Sequence, residues 1–144
     1  MKIVFKKISD EEHVVKVFRQ TNSTEEAILN SRNFLRHDFA HLAIEIEIPL
    51  SAAYWGSVAA GAALDGKALA GKEIVIAESL AGPVQILIRD NAGIEAYQDI
   101  LDRMQPQLAS RDLAERIHER ARQLLGHWRA TAYGSEMTVD WPEL

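Results

Sequence analysis

Residues 32–49, Arg32-Asn-Phe-Leu-Arg-His-Asp-Phe-Ala-His-Leu-Ala-Ile-Glu-Ile-Glu-Ile-Pro49, decide the fold, because here the hydrophobic period changes from that of a strand to that of a helix. At helical spacing Phe34, Leu35, Phe39, Leu42, Ala43 and Ile46 fall in one apolar arc, with Ser31 as a plausible cap and Pro49 as the stop. Upstream the chain reads as strands. Residues 2–8 and 13–21 are rich in Val, Ile and Phe and flank the polar turn Ser9-Asp10-Glu11-Glu12, the pattern of a hairpin. Ala27-Ile28-Leu29 reads as a short third strand, although Ser23 followed by Glu26 also fits a capping box.

Downstream the helical pattern dominates. A second helix is predicted over Ser51–Leu64, where Ala52, Gly56 and Ala60 recur at four-residue spacing as a contact stripe for another helix. Residues 71–89 are read as a helix bent at Gly82-Pro83, and two more helices follow over Gly93–Met104 and from Ser110 to about Arg129. In the tail, Met137, Val139 and Trp141 alternate, so a last strand is expected to rejoin the N-terminal sheet. The expected fold is therefore α+β: one domain with a small antiparallel sheet, made of the N-terminal hairpin and the C-terminal strand, covered by about five helices.

Composition excludes several functions. With 144 residues, no cysteine and a net charge of -5, the chain offers neither disulfides nor thiol chemistry, and no overall positive field for nucleic acid or an anionic membrane. The apolar stretch 44–64 carries Glu45 and Glu47 and is interrupted by Pro49, too short for a span. The lysines within Met1–Lys7 do not suit a signal peptide, and a cytoplasmic location is expected. Ser57 and Ser79 lack a nucleophile elbow, and the glycines at 56, 61, 66 and 71 form no phosphate loop.

Chemistry concentrates in the first helix. His37, His41 and Glu45 stand at successive four-residue intervals with Asp38 beside them. His37-Asp38-x-x-His41 resembles the His-Glu-x-x-His motif of zincin metalloproteases. That resemblance implies His37 and His41 as zinc ligands and Asp38 as the catalytic base, with Glu45 as a further candidate ligand. Asp is one methylene shorter than Glu, and Glu45 is too close in sequence to match the usual third zincin ligand. The competing reading is a structural polar cluster at the edge of the core. A carboxylate–imidazole pattern as in di-iron bundles also occurs at Asp38/His41 and Glu115/His118, with Glu73, Glu78 and Glu95 as the other carboxylates on hand.

The segment Phe34-Leu-Arg-His-Asp-x-x-His-x-x-x-Glu45, with Trp55-Gly56, Gly82-Pro83 and Trp128-Arg-Ala-Thr131, is similar to a group of small uncharacterised bacterial proteins. The resemblance implies a bacterial origin and no particular activity. On the residues alone, the function expected is a non-catalytic interaction or assembly module, a homo-oligomer formed through the helix of Tyr54 and Trp55 with Trp55 partly exposed in the monomer. The alternative is a zinc-binding protein or metal-dependent hydrolase centred on His37 and His41.

Overall fold

The computed structural model describes residues 1–142. Three antiparallel strands open the chain, β1 (Lys2–Lys7), β2 (Glu12–Phe18) and β3 (Thr24–Asn30), and β4 (Glu136–Asp140) closes it, giving the sheet order β3-β2-β1-β4. Between them lie α1 (Arg36–Glu47), α2 (Tyr54–Ala59), α3 (Lys72–Asp90), α4 (Ile94–Met104) and α5 (Arg111–Ala130). The α+β expectation holds, with a full-length third strand in place of the short one read from Ala27-Ile28-Leu29. No described helix is long and apolar enough to cross a membrane.

Register explains the buried face. Ile3 pairs with Val17 and Val139, Phe5 with Val15 and Met137, and Val15 with Ala27, so one face of the sheet collects the apolar residues and turns them toward the helices. α1 lies on that face and has two apolar sides. Leu35, just ahead of it, and Phe39 and Leu42 pack on the sheet with Trp55, Leu125 and Trp128, while Ala40, Ala43 and Ile44 pack against α3, α4 and α5. Phe39 meets Phe5 edge-on at 5.1 Å between ring centres, a geometry that stabilises by about 0.5–1.5 kcal/mol beyond burial. Every residue from Asp38 to Glu45 is buried. The polar side chains of this helix are thus committed to the interior, where each needs a partner.

Four local expectations are corrected. The first helix is capped by Asn30, whose Oδ1 accepts from the amides of Arg32 and Asn33 at 3.0 and 3.2 Å, while Ser31 Oγ turns to His13 Nδ1 at 2.9 Å. The turn over Ser31–Leu35 is π-helical. α2 is only six residues long, Tyr54–Ala59, and its small residues do not form a helix–helix stripe: a Cβ on Gly56 would strike the backbone carbonyls of Ser51 and, at 2.8 Å, Leu50. Trp55, expected to be partly exposed, is fully buried within the single chain and donates Nε1–H to the Asp38 carbonyl at 3.2 Å. α3, by contrast, runs as one helix through Pro83, close to its predicted limits.

Candidate metal centre

α1 and α3 bring three side chains together. His37 Nε2 lies 3.3 Å from Glu78 Oε2, and His41 Nε2 lies 3.3 Å from Glu78 Oε1, with the two imidazole centres 4.5 Å apart. One ligand atom from each of the three lies within 4.8 Å of the others. Tetrahedral zinc with bonds of about 2.0–2.1 Å places neighbouring ligand atoms about 3.3–3.4 Å apart, so the three residues would have to draw in from their 4.8 Å envelope to hold it, each imidazole at present facing a different oxygen of Glu78.

Burial grades across the cluster. His41 is almost wholly buried, His37 is partly exposed and Glu78 opens to solvent. The sequence placed His37 and His41 together correctly, but the third position differs. Glu45 does not face His37. Its Oε1 accepts from His41 Nδ1 at 3.0 Å and from the Tyr54 amide at 3.1 Å, and its Oε2 accepts from the amides of Trp55 and Gly56 at 2.8 and 3.3 Å. Both oxygens are thereby used, and the carboxylate facing the two Nε2 atoms is Glu78. Sequence reasoning considered Glu78 only among the carboxylates for a di-iron pattern. Its separation from His41 by a loop and a short helix left no local spacing to mark it.

The Glu45 contact sets the tautomer of His41. A carboxylate already receiving three amide protons can only accept, so His41 Nδ1 carries the hydrogen, and in the neutral ring Nε2 presents its lone pair to His37 and Glu78. Although close to Glu78, this buried Nε2 has no hydrogen-bond partner. Its ion-pair contact is to Glu78, and when the ring is neutral a carboxylate-oriented imidazole with Nε2 free to bind is the usual form of a zinc-ligating histidine.

Electrostatics divides the two imidazoles. Burial is the largest influence on His41 and acts to lower its pKa, but the hydrogen bond and charge of Glu45, followed by Glu78 and Asp38, outweigh it and hold the pKa above the ordinary histidine value. His37 is held below that value, chiefly by burial and then by the charge of His41, against the pull of Glu78. Burial pushes Asp38 up to about 7, with His41 pulling the other way.

Beside the cluster is a cavity of about 590 Å³ that includes His37, Asp38 and Glu78 in its wall. The rest is mainly apolar, from Leu29, Phe34, Tyr54, Leu64, Leu69 and Ile74. Asp38 Oδ2 is buried there without a hydrogen-bond partner. The segment carrying Leu64 is pinned to the sheet: Glu25 accepts from the Leu64 amide at 2.8 Å and from Arg19 at 2.7 Å, and Arg19 also donates to the Ala62 carbonyl at 2.8 Å. Tyr54 closes the same wall by donating its hydroxyl to the Leu64 carbonyl at 2.7 Å. The site is thus built from α1, α3, the α2 end and a loop tied to β2 and β3. Glu115 and His118, on α5, are not part of this three-residue group. Compared with known proteins, the chain matches no family model, no curated protein and no solved structure.

Proposed function

We propose that the protein binds a divalent transition-metal ion, zinc above all, through His37, His41 and Glu78, and uses it for hydrolysis in the adjoining cavity. The observation that carries this reading is the convergence of His37, His41 and Glu78, one ligand atom of each lying within 4.8 Å of the others, with the ring of His41 oriented by Glu45. Two histidines and one glutamate leave a tetrahedral ion one free position, the composition of catalytic rather than structural zinc sites. When bound, the ion supplies Lewis acidity and makes a water molecule easier to deprotonate.

The chain's own residues supply the rest. Glu45 fixes the ring of His41, Glu78 brings a negative charge from α3, and Asp38, which lines the cavity, brings a carboxylate to receive a proton from water there. The shorter reach of Asp relative to Glu is accommodated if water and substrate sit in the cavity that Asp38 itself lines. A polar cluster of purely structural value explains Glu45 well, since all of its hydrogen bonds are internal. It gives no role to the convergence of His37 and Glu78 on the buried face of His41.

Elemental analysis of protein purified without a metal-affinity tag, before and after incubation with zinc and gel filtration, tests the metal centre. About one equivalent per chain is expected in the parent, with loss of that equivalent in His41→Ala. Retention of no metal after zinc incubation, or equal retention by both proteins, overturns the reading.

A further inference from the structure

Resting on the metal centre just proposed, we infer that the cavity takes an uncharged ester or carboxamide with a hydrophobic body, and that in the metal-free protein it disfavours an anion of the same body. Its titratable side chains besides Tyr54 are Asp38, Asp65, Glu78 and the partly exposed His37; among the described residues no lysine or arginine lines it. Lys67 pairs with one of these wall groups from outside. It meets Asp65 at 3.8 Å with its own side chain largely in solvent, and so offers a ligand inside no fixed positive partner. Without a bound metal, phosphate and carboxylate recognition relies largely on arginine forks and lysines, and neither residue type lines this wall.

The remaining wall is apolar, and the volume of about 590 Å³ lies within the range of small-molecule sites. Leu29, Leu69 and Ile74 contribute apolar wall from β3, a loop and α3, giving a hydrophobic body somewhere to lose its water. The carbonyl group would sit toward the polar part of the wall, at His37 and Glu78. For an ester or amide the atoms then balance simply. The oxygen of water adds to the acyl carbon while one water proton passes to Asp38. Breakage of the C–O or C–N bond returns that proton to the departing alcohol or amine. The products are a carboxylic acid and the released alcohol or amine.

Three probes and one variant test the class by NMR shift changes in labelled protein: 4-phenylbutyramide, 4-phenylbutyrate and acetamide, each added to metal-free protein, with Leu69→Glu as the variant. The phenyl amide is expected to shift Leu64, Leu69 and Ile74 and to bind at least about tenfold more tightly than the carboxylate of the same body or the amide lacking it, a gap of about 1.4 kcal/mol. Leu69→Glu is expected to lose most of that preference while retaining zinc binding. Equal or tighter binding of 4-phenylbutyrate, or no advantage of the phenyl amide over acetamide, overturns the inference. In zinc-loaded protein 4-phenylbutylamine is expected to bind more weakly than the amide, and the reverse order also overturns it. The metal centre is judged separately by zinc titration without probe: binding of the amide with no binding of zinc removes the metal reading, and binding of zinc with no amide preference removes only this one.

Discussion

Glu45 accepts the Nδ1 proton of His41 one turn along the same helix, at 3.0 Å, and with its remaining capacity holds the first three amides of the α2 region. The residue before α2 is Ala53, which has no capping side chain, so the start of this helix depends on a carboxylate contributed by α1. One buried group therefore sets both the path of the chain at Trp55 and the orientation of a candidate metal ligand.

Glu45→Gln should separate these two roles only weakly. The amide keeps one accepting oxygen but turns an NH₂ toward donors, so stability should fall by about 2–4 kcal/mol, and zinc affinity should fall about 10–100-fold as His41 loses its anchor. Urea denaturation and zinc titration of the same variant check both. Loss of stability with unchanged zinc affinity would show that His41 needs no carboxylate partner.

Asp38→Asn should stabilise the metal-free protein at pH 8. The folded pKa of about 7 lies above the ordinary carboxylate value of 3.8, so the favourable contribution of Asp38 is complete below about pH 4 and is lost as pH rises through 7. The variant should exceed the parent by about 2–4 kcal/mol at pH 8, and the gap should close toward pH 4. Urea midpoints across that range check it, and a variant less stable than the parent at pH 8 would show that the carboxylate is paired in solution.

His13 should act in the opposite sense. Burial between Phe5 and Trp128 lowers its pKa to about 4 from 6.5, so its neutral form stabilises the fold above pH 6.5 and that stability drains away as pH falls toward 4. The loss amounts to about 3 kcal/mol over the window. Because Asp38 partly offsets it there, the informative quantity is the difference between parent and His13→Gln at pH 7 and at pH 4.5, which should shrink at the lower pH.

Gly56→Ala should destabilise by about 3 kcal/mol or more, because the new methyl group meets the backbone carbonyls of Ser51 and Leu50, which cannot swing aside as a side chain can. The amide of Gly56 also belongs to the Glu45 cradle, so zinc affinity should fall with stability. Thermal denaturation with and without zinc checks the coupling.

Much of the architecture was legible because strand and helix periods differ and the change at Arg32 is abrupt. Ser110 also behaves as read, its hydroxyl accepting from the Leu113 amide at 3.0 Å. What was not legible depended on tertiary partners. Ser51–Leu64 has a helical pattern, yet the helix cannot begin before Glu45 reaches its amides, and it gives way before Gly61, whose φ of +114° is outside the helical range. Trp55 looked like contact surface because nothing local shows that Phe5 and Asp38 surround it. His37 and His41 share one helix and could be paired from spacing alone. Glu78 could not, because only the packing of α3 against α1 brings it near.

The most direct measurement is calorimetric titration of zinc into chelator-stripped, tag-free protein at pH 7.5, in the parent and in Glu78→Gln. Glu78 is half exposed and its contacts in the cluster are to the two imidazoles, so the substitution should change stability by no more than about 0.5 kcal/mol while removing one ligand charge. One zinc per chain with micromolar or tighter affinity is expected in the parent, weakened at least about tenfold in Glu78→Gln and weakened in the parent as pH falls and protons compete for His41. A parent that takes up no zinc, or a Glu78→Gln protein that binds it as the parent does, would contradict a metal centre built from His37, His41 and Glu78.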